Sequence, residues 1–149
     1  MTSPADPFDL DRFVQAQAPV YETVLTELQS GRKRTHWMWF IFPQIAGLGR
    51  SPMAQRYAIK SLNEAKAFLE HPVLGSRLTE CAQTVLDLEN RSVSAIFGYP
   101  DDLKYHSCTT LFAQVTAPDS VFNLTLKKYF MNQQDTQTLK RLKNLGIGP

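Results

Sequence analysis

HWMWFIFP, residues 36–43, is an apolar-aromatic run closed by a proline. A buried strand and a short buried helix look alike over so short a run, so periodicity alone leaves both open. No convincing partner strand stands elsewhere in the chain, and a strand without partners is unstable. The run is therefore expected to be helical, and the chain with it all-α.

The flanking sequence supports that choice. On the N-terminal side Phe13, Val20, Val24 and Leu28 recur at helical spacing, with Tyr21 and Leu25 beside them. They predict a helix over Leu10–Ser30, interrupted or bent near Pro19, capped by Asp9 or Asp11 and followed by Gly31. On the other side AGLGRS, residues 46–51, reads as a glycine loop. Ser51-Pro52 then places a cap and a first-turn proline at a helix start. Ser61 and Glu64 have the spacing of a capping box. His71-Pro72 ends that helix and begins another, with Leu74, Leu78, Cys81, Ala82, Val85 and Leu86 on its apolar face. Ser92 to Gly98 brackets a short helix, and Pro100 opens a longer one carrying Tyr105, Cys108, Leu111 and Phe112. Residues 119–131 fit partial strand alternation as well as a helix through Phe122, Leu126, Tyr129 and Phe130; helix is preferred. Asp135 caps the last helix and Gly146 closes it. The expectation is one orthogonal multi-helix domain over residues 1–149, with seven to nine helices and residues 1–8 as a loosely ordered tail.

Composition agrees with a packed domain. The chain has 149 residues, 43% of them apolar, with nine Phe, five Tyr and two Trp. That is too much large apolar surface for a disordered segment, and no stretch approaches the ~18–20 apolar residues of a membrane helix. The acidic start MTSPADPFDLDRF lacks the apolar core of a secretory signal. Cys81 and Cys108 form no CxxC pair and read as small core residues in a reducing, cytoplasmic compartment. His36, His71 and His106 are too scattered for a helical metal pair. No metal and no cofactor is expected.

Charge is unevenly spread. Residues 31–60 hold six bases and no acid, whereas residues 1–30 hold five acids and one base. The basic segment also carries both tryptophans and the glycine loop, so the candidate ligand site centres there. Trp37 and Trp39 point to roughly opposite sides if helical; one of them, Trp39 in this reading, would line a pocket and stack on a planar ligand. Gln44 would supply a directional amide. Gly47, Gly49, Arg50 and Ser51 would bring backbone N–H groups and a cation toward an anion, although the spacing is neither a Walker A loop nor GxGxxG. His36 suits a hydrogen-bond acceptor or base. Asp101, Lys104, Ser107 and Thr110 recur every three residues along one side of their helix; Lys104 and Ser107 are candidates for a polar wall, and a Lys–Ser nucleophile pair is conceivable. No catalytic residue is assigned.

Three strings, GRKRTHWMWFIFPQIAGLGRS (31–51), SLNEAKAFLEHPVLGSRL (61–78) and FGYPDDLKYHSCTTLF (97–112), resemble a small all-helical family of unknown function found in bacteria and fungi. The resemblance runs from about Phe8 to Leu142. It implies an all-α fold, known from a mycobacterial relative, and no activity. Members often carry the label "calpastatin". True calpastatins are largely disordered protease inhibitors, whereas this composition is globular.

The function these features suggest is binding, with hydrolysis as its enzymatic version, of a small anionic and partly planar molecule such as a nucleotide or phosphorylated metabolite. The alternative is a protein-interaction module without a small ligand, using the first helix or the basic last one (Lys140, Arg141, Lys143). Nucleic-acid binding is disfavoured: the pI of about 8.6 is below the value above ~9 usual for such domains, and no recognised motif is present. No membrane association is expected.

Overall fold

The computed structural model describes residues 5–145, and His36–Phe42 is helical in it for a single turn, α3 (Met38–Ile41). Pro43 ends it, and Phe42 before the proline has left the helical region, with φ −123° and ψ 72°. The chain then runs to an isolated parallel bridge between Ile45 and Ile59, made by Ala46 N–H to Ile59 O (2.7 Å) and Ile59 N–H to Gln44 O (2.8 Å). That bridge closes the base of the glycine loop.

Ten helices and no strand occur among the described residues, so the all-α expectation holds. The count exceeds nine because the expected Leu10–Ser30 helix is two: α1 (Asp11–Gln17) and α2 (Tyr21–Gln29). Of the two outcomes expected at Pro19, interruption is the one found, since proline has no N–H to donate. The predicted cap also moves. Neither Asp9 nor Asp11 caps α1; Asp6 accepts from the amides of Leu10 (2.8 Å) and Asp11 (3.0 Å). Residues 1–4 of the expected loose tail, and Gly146 as a helix stop, lie outside the described residues.

The remaining starts follow local chemistry. Ser51 caps α4 (Pro52–Arg56), Ser61 caps α5 (Leu62–Glu70), Ser92 caps α7 (Val93–Phe97), Ser120 caps α9 (Val121–Tyr129) and Asp135 caps α10 (Thr136–Asn144), each accepting from a backbone N–H three residues on. At α6 (Leu74–Leu86) the His71 ring nitrogen Nδ1 accepts from the amides of Val73 and Leu74. The capping box at Ser61 is half-formed: the Glu64 carboxylate reaches the Lys60 amide (2.9 Å) instead of that of Ser61.

α8 (Asp101–Ala113) is the central element, packed against α5, α7, α9 and α10. It is buried nearly all round. Tyr105, Cys108, Leu111 and Phe112 meet the core, and so do Ser107, Thr109 and Thr110. Its buried Ser107 and Thr109 hydroxyls bond back along the helix, to Leu103 O (3.1 Å) and Tyr105 O (2.7 Å), whereas the buried Tyr105 hydroxyl has no hydrogen-bond partner among the described residues. Around it the rings form a chain of edge and tilted contacts: Phe13 to Phe68 (5.0 Å), Phe68 to Phe112 (5.6 Å), and Phe42 to Tyr105 (4.8 Å).

The corner between α5 and α6 yields a test of packing against propensity. A Cβ on Gly75 would lie 2.0 Å from the Leu69 carbonyl oxygen. Alanine is the better helix former by roughly 1 kcal/mol, yet backbone cannot yield as a flexible side chain does. Gly75→Ala is expected to destabilise the protein by ~1–3 kcal/mol, the usual cost of overpacking. An unchanged or raised melting temperature would show that the corner has room.

Candidate functional site

The site begins with one buried carboxylate. Glu27, in the last turn of α2, accepts hydrogen bonds from the Arg34 amide (2.7 Å), the Thr35 amide (3.0 Å), the Thr35 hydroxyl (2.6 Å) and the Trp37 indole N–H (3.0 Å). Burial opposes its charge, but the Thr35 hydroxyl, the two amides and the indole outweigh burial and hold the Glu27 carboxyl below its usual range. The 31–37 loop is thus wound around Glu27, and Trp37 is fixed in the core.

A second anchor ties the same loop to the far side of the cleft. The Lys33 amide donates to Ile96 O in α7 (2.7 Å). The Lys33 ammonium then lies 2.8 Å from Asp101 Oδ2 in the first turn of α8, and 5.0 Å from the centre of the Trp37 ring. Lys104, one turn on, approaches the other Asp101 oxygen at 3.5 Å and sits 5.4 Å over the Trp39 ring. Two lysines on two tryptophans therefore flank one aspartate, at distances where cation–π attraction operates.

Beside this cluster is a cleft of about 390 Å³, lined among others by Arg34, His36, Trp39, Tyr99, Asp101 and Lys104. Small-molecule sites usually span ~300–1,000 Å³, so its size is adequate. Trp39 is half-buried, whereas Tyr99, between Gly98 and Pro100, is 83% exposed. Arg34 and His36 are exposed, and among the described residues neither side chain has an ion-pair partner.

Of the predicted site residues, His36, Trp39 and Lys104 meet in this cleft. Gln44, Gly47 and Gly49 line an adjoining crevice that shares Trp39 and Lys104 but holds only about 10 Å³, room for one water. Gly47 has φ +98°, and a Cβ there would lie 2.1 Å from the Arg141 guanidinium. The space over that glycine thus belongs to α10. Arg50 and Ser51 line neither space. The Arg50 carbonyl accepts from the Gln55 amide (2.9 Å), and Ser51 is spent on capping α4. Ser107 is also elsewhere: it is buried under α10 and donates to Asp135 Oδ2 (3.1 Å) as well as to Leu103 O. Lys104 and Ser107 therefore form no nucleophile pair.

Sequence reasoning missed Glu27 and Tyr99. Nothing local marks Glu27, whose partners lie seven to ten residues ahead. Tyr99 carried a signal, an aromatic wedged between Gly98 and Pro100, where it can be neither helical core nor strand.

Among the described residues no three His, Cys, Asp or Glu side chains group as a metal-holding set, and no helix is long and apolar enough to cross a membrane. Among proteins of curated function none matches the chain. A solved structure does: the conserved hypothetical protein Rv1873 from Mycobacterium tuberculosis, 55% identical, with a TM-score of 0.89 over 91% of this chain and 96% of that one. Residues 7–142 match the family described as protein of unknown function (DUF1810). With that match spanning most of its length, the chain belongs to the DUF1810 family.

Proposed function

We propose that the cleft between the 33–39 segment and the start of α8 binds a small anionic molecule with a planar part. The observation that carries this reading is a surplus of cations beside accessible aromatic surface, above all the 83% exposed Tyr99. Asp101 is shared between Lys33 at 2.8 Å and Lys104 at 3.5 Å, so one negative charge stands against two lysines and Arg34, and the cleft keeps net positive charge beside Trp39 and Tyr99. Like charges in excess repel one another, and a bound anion relieves that repulsion. An indole and a phenol ring offer faces on which a planar group can stack. Binding, rather than hydrolysis, is the reading the residues favour, because Ser107 is committed to Asp135 and not to the cleft. Both cysteines are free and buried, in keeping with a reducing, cytoplasmic setting.

A thermal-shift screen of nucleotides, sugar phosphates and sulfate tests the proposal. A ligand at a hundredfold excess over its Kd stabilises by roughly 2.7 kcal/mol, which in a domain of this size is a shift of about 5–10 °C. Arg34→Ala and His36→Ala should reduce the shift, and Arg50→Ala, outside the cleft, should not. If no anion shifts the wild type, the cleft is not an anion site and the protein-interaction reading replaces it.

A further inference from the structure

We infer that the cleft takes a ribonucleoside 5′-phosphate, with Asp101 accepting from the ribose 2′-hydroxyl, the base against Trp39 and Tyr99, and the phosphate on Arg34 and Lys104. This rests on the anion-binding reading above and narrows its ligand.

An acid stands where a simple anion site would be better without one. Asp101 lines the cleft together with the cations. For inorganic phosphate or a simple carboxylate, its charge only weakens binding. A carboxylate gains its place where the ligand also presents hydroxyl donors, as ribose does in dinucleotide sites. The two oxygens of Asp101 are not equivalent. Oδ2 is engaged by Lys33 at 2.8 Å, whereas Lys104 stands 3.5 Å from Oδ1. Charge-assisted hydrogen bonds are ~2.7–2.9 Å, so the second contact is long. A carboxylate oxygen has two lone-pair directions, and Oδ1 therefore keeps acceptor capacity for a hydroxyl. Lys33 fixes the carboxylate while its own side chain is 7% exposed, so the acceptor is held in place before any ligand arrives.

The other two parts of a nucleotide have matching surfaces nearby. Tyr99 is 83% exposed, so its ring face is open to a planar group. It borders the same cleft as half-buried Trp39. Arg34 has a rigid fork of donors suited to phosphate, and its main chain is locked by Glu27 at 2.7 Å. Lys104 contributes a second cation, already steadied over the Trp39 ring.

The test is titration of the full-length protein, followed by intrinsic tryptophan fluorescence and melting temperature. The probes are AMP, GMP and CMP, their 2′-deoxy counterparts, ribose 5-phosphate and inorganic phosphate. Wild type is expected to bind at least one ribonucleotide about tenfold more tightly than its deoxy form, the worth of one hydrogen bond to a charged group. Asp101→Asn should shrink that ratio, because a neutral amide oxygen accepts more weakly than a carboxylate, and should leave phosphate binding equal or tighter, because a negative charge has been removed. Tyr99→Ala, at an exposed position, should weaken the nucleotide and spare ribose 5-phosphate. Equal binding of ribo and deoxy forms by wild type overturns the ribose assignment, and does so even if Asp101→Asn fails to fold. Stabilisation by phosphate alone keeps the anion site and refutes the nucleotide. Silence from every probe refutes both.

Discussion

Replacing Arg12 with alanine is expected to cost about 3–5 kcal/mol, the usual penalty for breaking a buried ion pair from one side. Arg12 lies on α1, yet its guanidinium organises the connection between α4 and α5. Nε donates to Arg56 O (2.9 Å) and Nη2 to Ala58 O (3.0 Å) and Glu64 Oε2 (2.8 Å), while Nη1 serves Phe8 O (2.7 Å) and Asp9 O (2.8 Å). Both charged groups are nearly inaccessible, with side chains 7% and 2% exposed. Without Arg12 the Glu64 carboxylate keeps only the Lys60 and local contacts and remains buried as an uncompensated charge. Four carbonyls lose a donor at the same time. Arg12→Lys should recover part of the loss, since an ammonium restores the charge but cannot fork across so many acceptors. Glu64→Gln in the Arg12→Ala background should relieve the stranded charge, so the two substitutions should cost less together than their sum. Urea denaturation of the four variants measures this. A loss below about 1 kcal/mol for Arg12→Ala would place the pair among exposed salt bridges of little worth.

The same residue shows which parts of the molecule were legible in the sequence. Ser51, Ser61, Ser92, Ser120 and Asp135 act on amides three residues away, and such local chemistry leaves a pattern in the string itself. Arg12 acts on groups 44 to 52 residues away, and nothing in DLDRF marks it as buried. Ser107 illustrates the opposite error. Its three-residue spacing from Lys104 predicts a helical stripe, but a stripe does not say what covers it, and α10 covers that part. The glycine loop failed for a similar reason: its conformation was predictable, whereas the Arg141 side chain that occupies the space over Gly47 comes from the last helix. The basic-aromatic block was the most informative signal. It located the cleft, because Lys33, Arg34, His36 and Trp39 cannot be far apart once their segment is anchored at Glu27 and Ile96.

That anchor carries the second large effect. Glu27→Ala is expected to destabilise the fold by ~3 kcal/mol or more and to abolish ligand-induced stabilisation. Two loop amides and the Trp37 indole would lose their acceptor, and each buried donor left unpaired costs about 1–3 kcal/mol. Glu27→Gln is milder and more diagnostic. The glutamine oxygen can still accept from the amides and the indole, and its NH2 can donate to the Thr35 hydroxyl, which reverses its role. What disappears is the charge, and with it the stronger hydrogen bonding that a charged acceptor supports. The sign with pH follows from the direction of the shift. The folded carboxyl lies below its ordinary value of 4.5, so its contribution is fully present above that value and is lost as pH falls through the folded pKa. Wild type and Glu27→Gln should therefore differ most in stability near pH 7 and converge toward pH 3. Urea midpoints for both proteins across that range supply the measurement. Convergence would identify Glu27 as the anion that organises the loop, and a gap constant down to pH 3 would mean that its charge contributes nothing and that only its shape matters.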